Sequence, residues 1–336
     1  MIENAELNTI FSRLSGKAPQ YFPAEADSDS SFQLSGLSQR NYSTIYFFDL
    51  TGNRSIPPFR PAIAVKIFHE RTSGVETAAL QYRSLASLWP RFRGGGNSNI
   101  GLPQPLDYFS DLPALVMERV RGSSLQALFS KMNILPSQRR QLTSACARTG
   151  QWLRELHRVT SVGQGRLVVE EKLAHASANL ARLETMGFSP ELCRRSADFL
   201  KRQADQLSIA ESHLALVHGD FTVDNVMVDG DRIVALDLTG RDHNAIEHDL
   251  ATFLNSLRLL RLTMPVSRAL LSRCSHSFLA GYFGVNHSPS PALNFLRVAG
   301  LISTALEIAG RRWDRLWTRL WVRRFFNQEL GGLVRS

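Results

Sequence analysis

The sequence predicts an α+β protein of two lobes, a β-rich N-terminal lobe followed by a mainly helical C-terminal one. Residues 42–48 and 62–68 are short runs of β-branched and aromatic types separated by a turn-like stretch from Thr51 to Pro58, the texture of neighbouring strands. Beyond Gly122 the apolar residues recur mainly at helical spacing. A single β island interrupts those helices, where apolar runs at 225–228 and 233–237 flank the turn Asp229-Gly230-Asp231-Arg232, a hairpin signature.

Taken in order, residues 17–36 are polar and carry Pro, Ser and Gly, and they read as a loose lead-in. The expected organisation is therefore a lead-in over 1–36, an N-lobe over 37–119 and a C-lobe over 120–336. After the strand at 62–68, Val75, Ala78, Ala79, Tyr82, Leu85 and Leu88 mark a helix. A Gly/Asn loop at 94–101 precedes short strands near 106–108 and 114–117, and the segment 118–122 then reads as a strand end with a turn. Pro136 and Ser137 open a long helix to about Arg158, and 177–207 holds more helix.

The chain of 336 residues is 43% hydrophobic, enough for a sizeable core and about two lobes. A formal charge of +9 invites a polyanionic partner, although solvated surface arginines account for it equally well. Charge alone speaks for nucleic acid, so a nucleic-acid-binding role is not expected. Cys146, Cys193 and Cys274 are widely spaced, with no CxxC pair, which argues against a zinc site or a disulfide framework. The first residues lack a basic segment followed by an apolar one, and no window is expected to approach the ~20 apolar residues that span a bilayer. A reduced, cytoplasmic setting is the expectation.

The densest chemistry lies at His218-Gly219-Asp220-Phe221-Thr222-Val223-Asp224-Asn225, with Asp237 beyond the hairpin. Phosphoryl transfer needs a carboxylate to orient an attacking hydroxyl and take its proton, and hard oxygen ligands for magnesium. Asp220 suits the first role, and Asn225 and Asp237, brought together by the hairpin, suit the second. Asp-Gly pairs are commonly just turns, but the full HxDxxxxN followed by a hairpin and a strand-end Asp is a far more specific pattern. It resembles the catalytic loop of the aminoglycoside phosphotransferase and choline kinase-like family, with Gly219 where protein kinases carry Arg. Leu236-Asp237-Leu238-Thr239-Gly240-Arg241 is similar to that family's metal-binding strand end, and Glu247-His248-Asp249-Leu250-Ala251 to its following helix start.

The resemblance implies a protein kinase-like fold and transfer of the ATP γ-phosphoryl group, with Mg2+, to a hydroxyl of a small molecule: a sugar, amino alcohol, antibiotic or glycolipid-type acceptor. It implies Asp220 as catalytic base, Asn225 and Asp237 as metal ligands, and His218 as a brace. Lys66, alone in an apolar strand, stands where the phosphate-binding lysine belongs, with Glu76 or Gln81 as its partner. The backbone near Glu118 and Val120 would hold adenine, and the turn from Ser35 to Asn41 would meet phosphates. Asp242, His243 and Glu247 are acceptor-site candidates, though exposed loop residues are the better reading of each. Acids outnumber bases from Phe221 to Leu260, which suits a cationic acceptor, whereas the overall basicity disfavours polycationic antibiotics. A nucleotide-binding pseudokinase or scaffold is the competing function.

Residues 311–326 interleave six arginines, Arg311 to Arg324, with Trp313, Trp317 and Trp321, a basic amphipathic helix. The expected arrangement packs the Trp stripe inward; peripheral contact with an anionic membrane is the alternative. The sequence leaves the oligomeric state open.

Overall fold

The computed structural model describes residues 2–40, 42–52, 61–69, 71–94, 99–109, 111–131, 135–207, 211–238, 240, 242–284, 290–310 and 316–335. The chain forms two units, 1–121 and 122–336. The first holds α1 (Ile2–Leu14), α2 (Ala18–Tyr21), β1 (Ser31–Gln39), β2 (Ser43–Thr51), β3 (Ala62–Phe68), α3 (Arg71–Gly94), β4 (Ile100–Gly101), β5 (Pro105–Phe109) and β6 (Ala114–Glu118). Its sheet runs β1-β2-β3-β6-β5 with antiparallel neighbours. The central strand β3 is buried at every position, as a strand covered on both faces must be.

The cover explains a correction. Residues 17–36, expected as a loose lead-in, instead supply α2 and the start of β1. Ile10, Leu14, Ala18 and Tyr21 join Phe32, Phe48, Ile63 and Val65 in one core, so the N-terminal helices close one sheet face while α3 packs against β3, β5 and β6. The Tyr21 hydroxyl donates to the Asp107 carboxylate at 2.7 Å. The phosphate turn expected from Ser35 to Asn41 is likewise mostly strand, since Gly36–Gln39 pair with β2 and Arg40 N–H bonds the Ser43 carbonyl. A register shift between Leu34 and Gly36 absorbs the irregular sequence that had read as a turn. The Thr51–Pro58 stretch lies largely outside the described residues.

The second unit opens with β7 (Ser123–Ser124), α4 (Leu125–Lys131), α5 (Pro136–Val159), β8 (Gly163–Gly165), α6 (Glu170–Thr185) and α7 (Pro190–Leu207). Then follow β9 (Ser212–Leu216), β10 (Val226–Asp229), β11 (Arg232–Ala235), β12 (His243–Ala245), α8 (Glu247–Thr263), α9 (Arg268–Phe283), α10 (Pro291–Gly310) and α11 (Leu316–Leu333). The β10–β11 hairpin pairs Val226 with Ala235 and Asp229 with Arg232, and β7 adds to its edge. β9 lies between β8 and β12.

Small residues let α5 and α9 approach closely. A Cβ at Gly281 would stand 1.9 Å from the Ala147 carbonyl oxygen, and one at Gly150 would stand 2.1 Å from that of Phe278. Backbone atoms on the facing helix cannot swing aside as a flexible side-chain end would. We therefore expect Gly281→Ala to cost roughly 1–3 kcal/mol, the range for overpacking a tight core, read as a lowered urea midpoint with unchanged slope. The buried Cys146 and Cys274 thiols are hydrogen-bonded within this contact, which together with burial pushes the Cys146 thiol up.

Helix α10 corrects a second expectation. With a mean hydropathy of 1.4 it is long and apolar enough, by length and composition, to cross a membrane. Here it is a core helix, packed against α6, α7, α8 and α11 with Phe295, Leu301 and Ile302 buried. The tail differs too. In α11 the packing face is Val322, Phe325, Phe326, Leu330 and Leu333, whereas Trp321 is 51% exposed. Glu329 fixes this helix by pairing with Arg258 at 2.7 Å and with Arg261. The Trp313 and Trp317 side chains lie outside the described residues.

Candidate active site

The loop from Val217 to Asn225 joins β9 to β10, and its shape follows from what holds each end. The His218 and Gly219 N–H groups donate to the two carboxylate oxygens of Asp249 at 2.7 and 3.1 Å. Asp249, in the first turn of α8, is 1% exposed, and His157 on α5 meets it through Nε2 at 3.0 Å while its Nδ1 bonds the Tyr282 hydroxyl at 2.8 Å. Burial pushes the Asp249 carboxyl up, but the hydrogen bond and charge of His157, the nearby His218 and the backbone amide outweigh it and hold it below the ordinary carboxylate range.

The other anchor is aromatic. Phe221 is fully buried, stacked on Trp152 at 5.5 Å and close to His218 at 5.3 Å and Phe253 at 5.5 Å. His218 is inaccessible; burial pushes its ring below the usual histidine range, and its packing against Trp152 and Phe221 braces the loop. Between these anchors Gly219 takes a φ of 89°, a left-handed conformation that suits glycine and turns Asp220 out to solvent.

Asp220 and Asn225 are in direct contact. The Asn225 side-chain amide donates to both the Asp220 carbonyl and its carboxylate, each at 2.9 Å. That fixes the amide's orientation and assigns its oxygen as the remaining acceptor. The Asn225 carbonyl accepts the Leu236 N–H at 2.8 Å, so the hairpin returns the chain beside the loop just before Asp237. Asp237 has a φ of 61°, a strained conformation for a residue with a Cβ and typical of functional positions. Two half-buried oxygen side chains on adjoining backbone form a hard-ligand set that fits magnesium, which takes few protein oxygens and keeps phosphate and water ligands. Among the described residues no group of three or more His, Cys, Asp or Glu side chains could hold a metal ion.

In the first unit, Lys66 is 5% exposed at the centre of β3, opposite Ile45 and Leu115, with its ammonium 4.8 Å from the Phe68 ring centre. Gln81 on α3 is equally buried while Glu76 is exposed, so the uncharged residue occupies the interior position. Glu118 ends β6, and its N–H and carboxylate both engage the Gln104 backbone, at 2.8 and 3.3 Å. Val120 follows, beyond the Arg119 N–H that bonds the Ala62 carbonyl.

Of the three acceptor candidates, two follow the exposed-loop reading and the third is internal. Asp242 and His243 are exposed, and Glu247 is buried and bonded by the Ser290 hydroxyl at 3.3 Å. None of them lines the cavity of about 500 Å3 beside Asp220. Its walls come from α6, α8 and α10, with Lys172, His248, Thr252, Asn255 and Glu307 facing it. No single motif marked these positions, because they converge only through helix packing. His248 is held at about 4 against an ordinary 6.5, by burial and then by the Lys172 charge. Between those values the unfolded chain binds a proton that the folded one refuses, so stability falls as pH falls. We expect the melting temperature to drop from pH 6.5 towards pH 4, and His248→Gln to flatten that slope.

The chain is a phosphotransferase of the protein kinase-like fold. The phosphotransferase enzyme family matches residues 64–285, and the chain belongs to it. Solved structures with the same fold include a glucosamine kinase, 15% identical over 96% of this chain and 99% of that one, with a TM-score of 0.59. A complex of glucosamine kinase with glucosamine, ADP and inorganic phosphate is 18% identical over 87% and 82%, with a TM-score of 0.55. A thermostable aminoglycoside phosphotransferase in ternary complex with AMP-PNP and hygromycin B is 15% identical over 96% and 98%, with a TM-score of 0.56. No curated protein matches the sequence.

Proposed function

We propose that the protein transfers the γ-phosphoryl group of ATP to a hydroxyl of a small molecule. The observation that carries this is the direct Asp220–Asn225 contact on a loop fixed by Asp249, with Asp237 adjoining. The acceptor oxygen forms its bond to the γ-phosphorus as the bond to the β–γ bridging oxygen breaks. The hydroxyl proton passes to the Asp220 carboxylate and ADP leaves. Asn225 and Asp237 would hold Mg2+, which when bound offsets charge on the phosphates. Lys66 steadies the phosphates, and the backbone at Glu118 and Val120 holds adenine. The three free, buried cysteines accord with a reducing, cytoplasmic setting.

A phosphate-transfer assay over a panel of hydroxyl compounds tests the reading. Transfer should need Mg2+ and stop on chelation, and Lys66→Met should raise the KM for ATP by about tenfold or more. Nucleotide binding with no transfer to any hydroxyl would favour the pseudokinase reading, which the uncharged Gln81 in the interior position supports.

A further inference from the structure

The cavity beside Asp220 contains polar groups that the fold leaves without partners. Asn255 is 6% exposed, and its amide nitrogen donates to the Arg297 carbonyl at 2.9 Å, which fixes the orientation of the group. Its oxygen then faces the interior with no hydrogen bond among the described residues. Gly300 makes room for this arrangement, since a Cβ there would press on the Asn255 amide at 3.1 Å. His248 Nε2 is also buried and unpartnered among the described residues. Buried polar atoms of this kind are costly unless something bonds them.

Lys172 adds the third requirement. It lies on the α6 wall of the same cavity, half-buried, with no hydrogen bond or ion pair among the described residues. Burial disfavours its ammonium and the charge of the neighbouring Glu171 offsets that only in part, so an anion arriving in the cavity would stabilise it. Asp220, whose carboxylate accepts from Asn225, and Glu307, which has a partner elsewhere in the protein, both line the cavity, but neither pairs with Lys172 among the described residues. His175, the remaining titratable side chain of the lining, is exposed.

We propose that this cavity is the acceptor site and selects a compact polyhydroxy compound carrying one anionic group, a carboxylate or a phosphate, which Lys172 pairs while Asn255 Oδ1 and His248 Nε2 take ligand hydroxyls. The proposal rests on the phosphotransferase reading for its chemistry but on the unpartnered groups for its specificity. The volume, about 500 Å3, is that of a small-ligand pocket. A polycationic acceptor would bring like charge against Lys172.

The test measures binding by calorimetry and phosphoryl transfer side by side for glucose, glucuronate, glucose 6-phosphate and glucosamine. The anionic members should bind roughly ten- to a hundredfold more tightly than glucose, as a charge-assisted hydrogen bond allows, and glucosamine no better than glucose. Glucuronate ahead of glucose 6-phosphate marks a carboxylate site, and the reverse order a phosphate site. Lys172→Glu should erase the preference, raising KM with kcat little changed and leaving the melting temperature intact. Equal affinity across the panel, no binding by any member, or a preference that survives Lys172→Glu would overturn the proposal. Transfer without charge preference removes it while leaving the phosphotransferase reading in place. Anion-selective binding with no transfer supports the site and removes that reading instead.

Discussion

Asp220→Ala is expected to lower kcat by roughly 10²–10⁴, the contribution of a positioned general base, while the melting temperature stays close to that of the parent. The two halves of this expectation come from different features. Asp220 is exposed, so its removal opens no cavity and leaves no buried group stranded. Asn225 loses its bond to the Asp220 carboxylate but keeps the one to the backbone carbonyl, so the side-chain oxygen proposed to hold Mg2+ stays aimed as before. ATP affinity should therefore change little. A variant that loses turnover and nucleotide binding together would indicate a loop collapse, and one that retains turnover would remove Asp220 from the chemistry.

The largest effect on stability is expected at Asp249, which holds the catalytic loop and does not line the cavity beside Asp220. Its carboxylate, itself out of contact with water, takes both loop N–H groups at 2.7 and 3.1 Å and meets the buried His157 at 3.0 Å. Asp249→Ala strands two backbone donors and an imidazole at once. Breaking a buried charged pair typically costs about 3–5 kcal/mol, measured as the loss in unfolding free energy. The pH dependence carries the same logic with its sign defined. The folded carboxyl lies below its ordinary value, so the stabilisation is present above that value and fades as pH falls through the folded one. Asp249→Asn should keep part of the shape but present an amide to the loop N–H groups, and activity should fall with stability.

Much of this architecture was legible in the residues. The strand at 62–68 could be read because a sheet covered on both faces needs a continuous apolar run, and Lys66 was conspicuous for interrupting it. The hairpin and the HxDxxxxN spacing are local patterns, so Asp220, Asn225 and their contact were within reach of sequence. What escaped depends on distant segments. Residues 17–36 look polar and loop-like, yet Ala18, Tyr21 and Phe32 lie in a sheet core that only the tertiary fold reveals. His157 is separated from Asp249 by 92 positions, so nothing near the catalytic loop announces it. Glu247, conspicuous beside the motif, turned out to be internal, while Lys172, Asn255 and Glu307 reach one cavity from three helices. Trp321 and Phe325 belong to one apolar stripe in the sequence, but α11 packs through Phe325 and Phe326 and leaves Trp321 exposed.

The central claim is that a hydroxyl receives the phosphoryl group with Asp220 as base. Phosphorus NMR of ATP turnover with Mg2+ and a panel of hydroxyl compounds tests it most directly, run in parallel on the parent and on Asp220→Ala. The account predicts a new phosphomonoester resonance growing in step with ADP for at least one acceptor, absent in the variant despite retained ATP binding. ADP accompanied only by inorganic phosphate across every acceptor, or a phosphomonoester signal undiminished in Asp220→Ala, would contradict it.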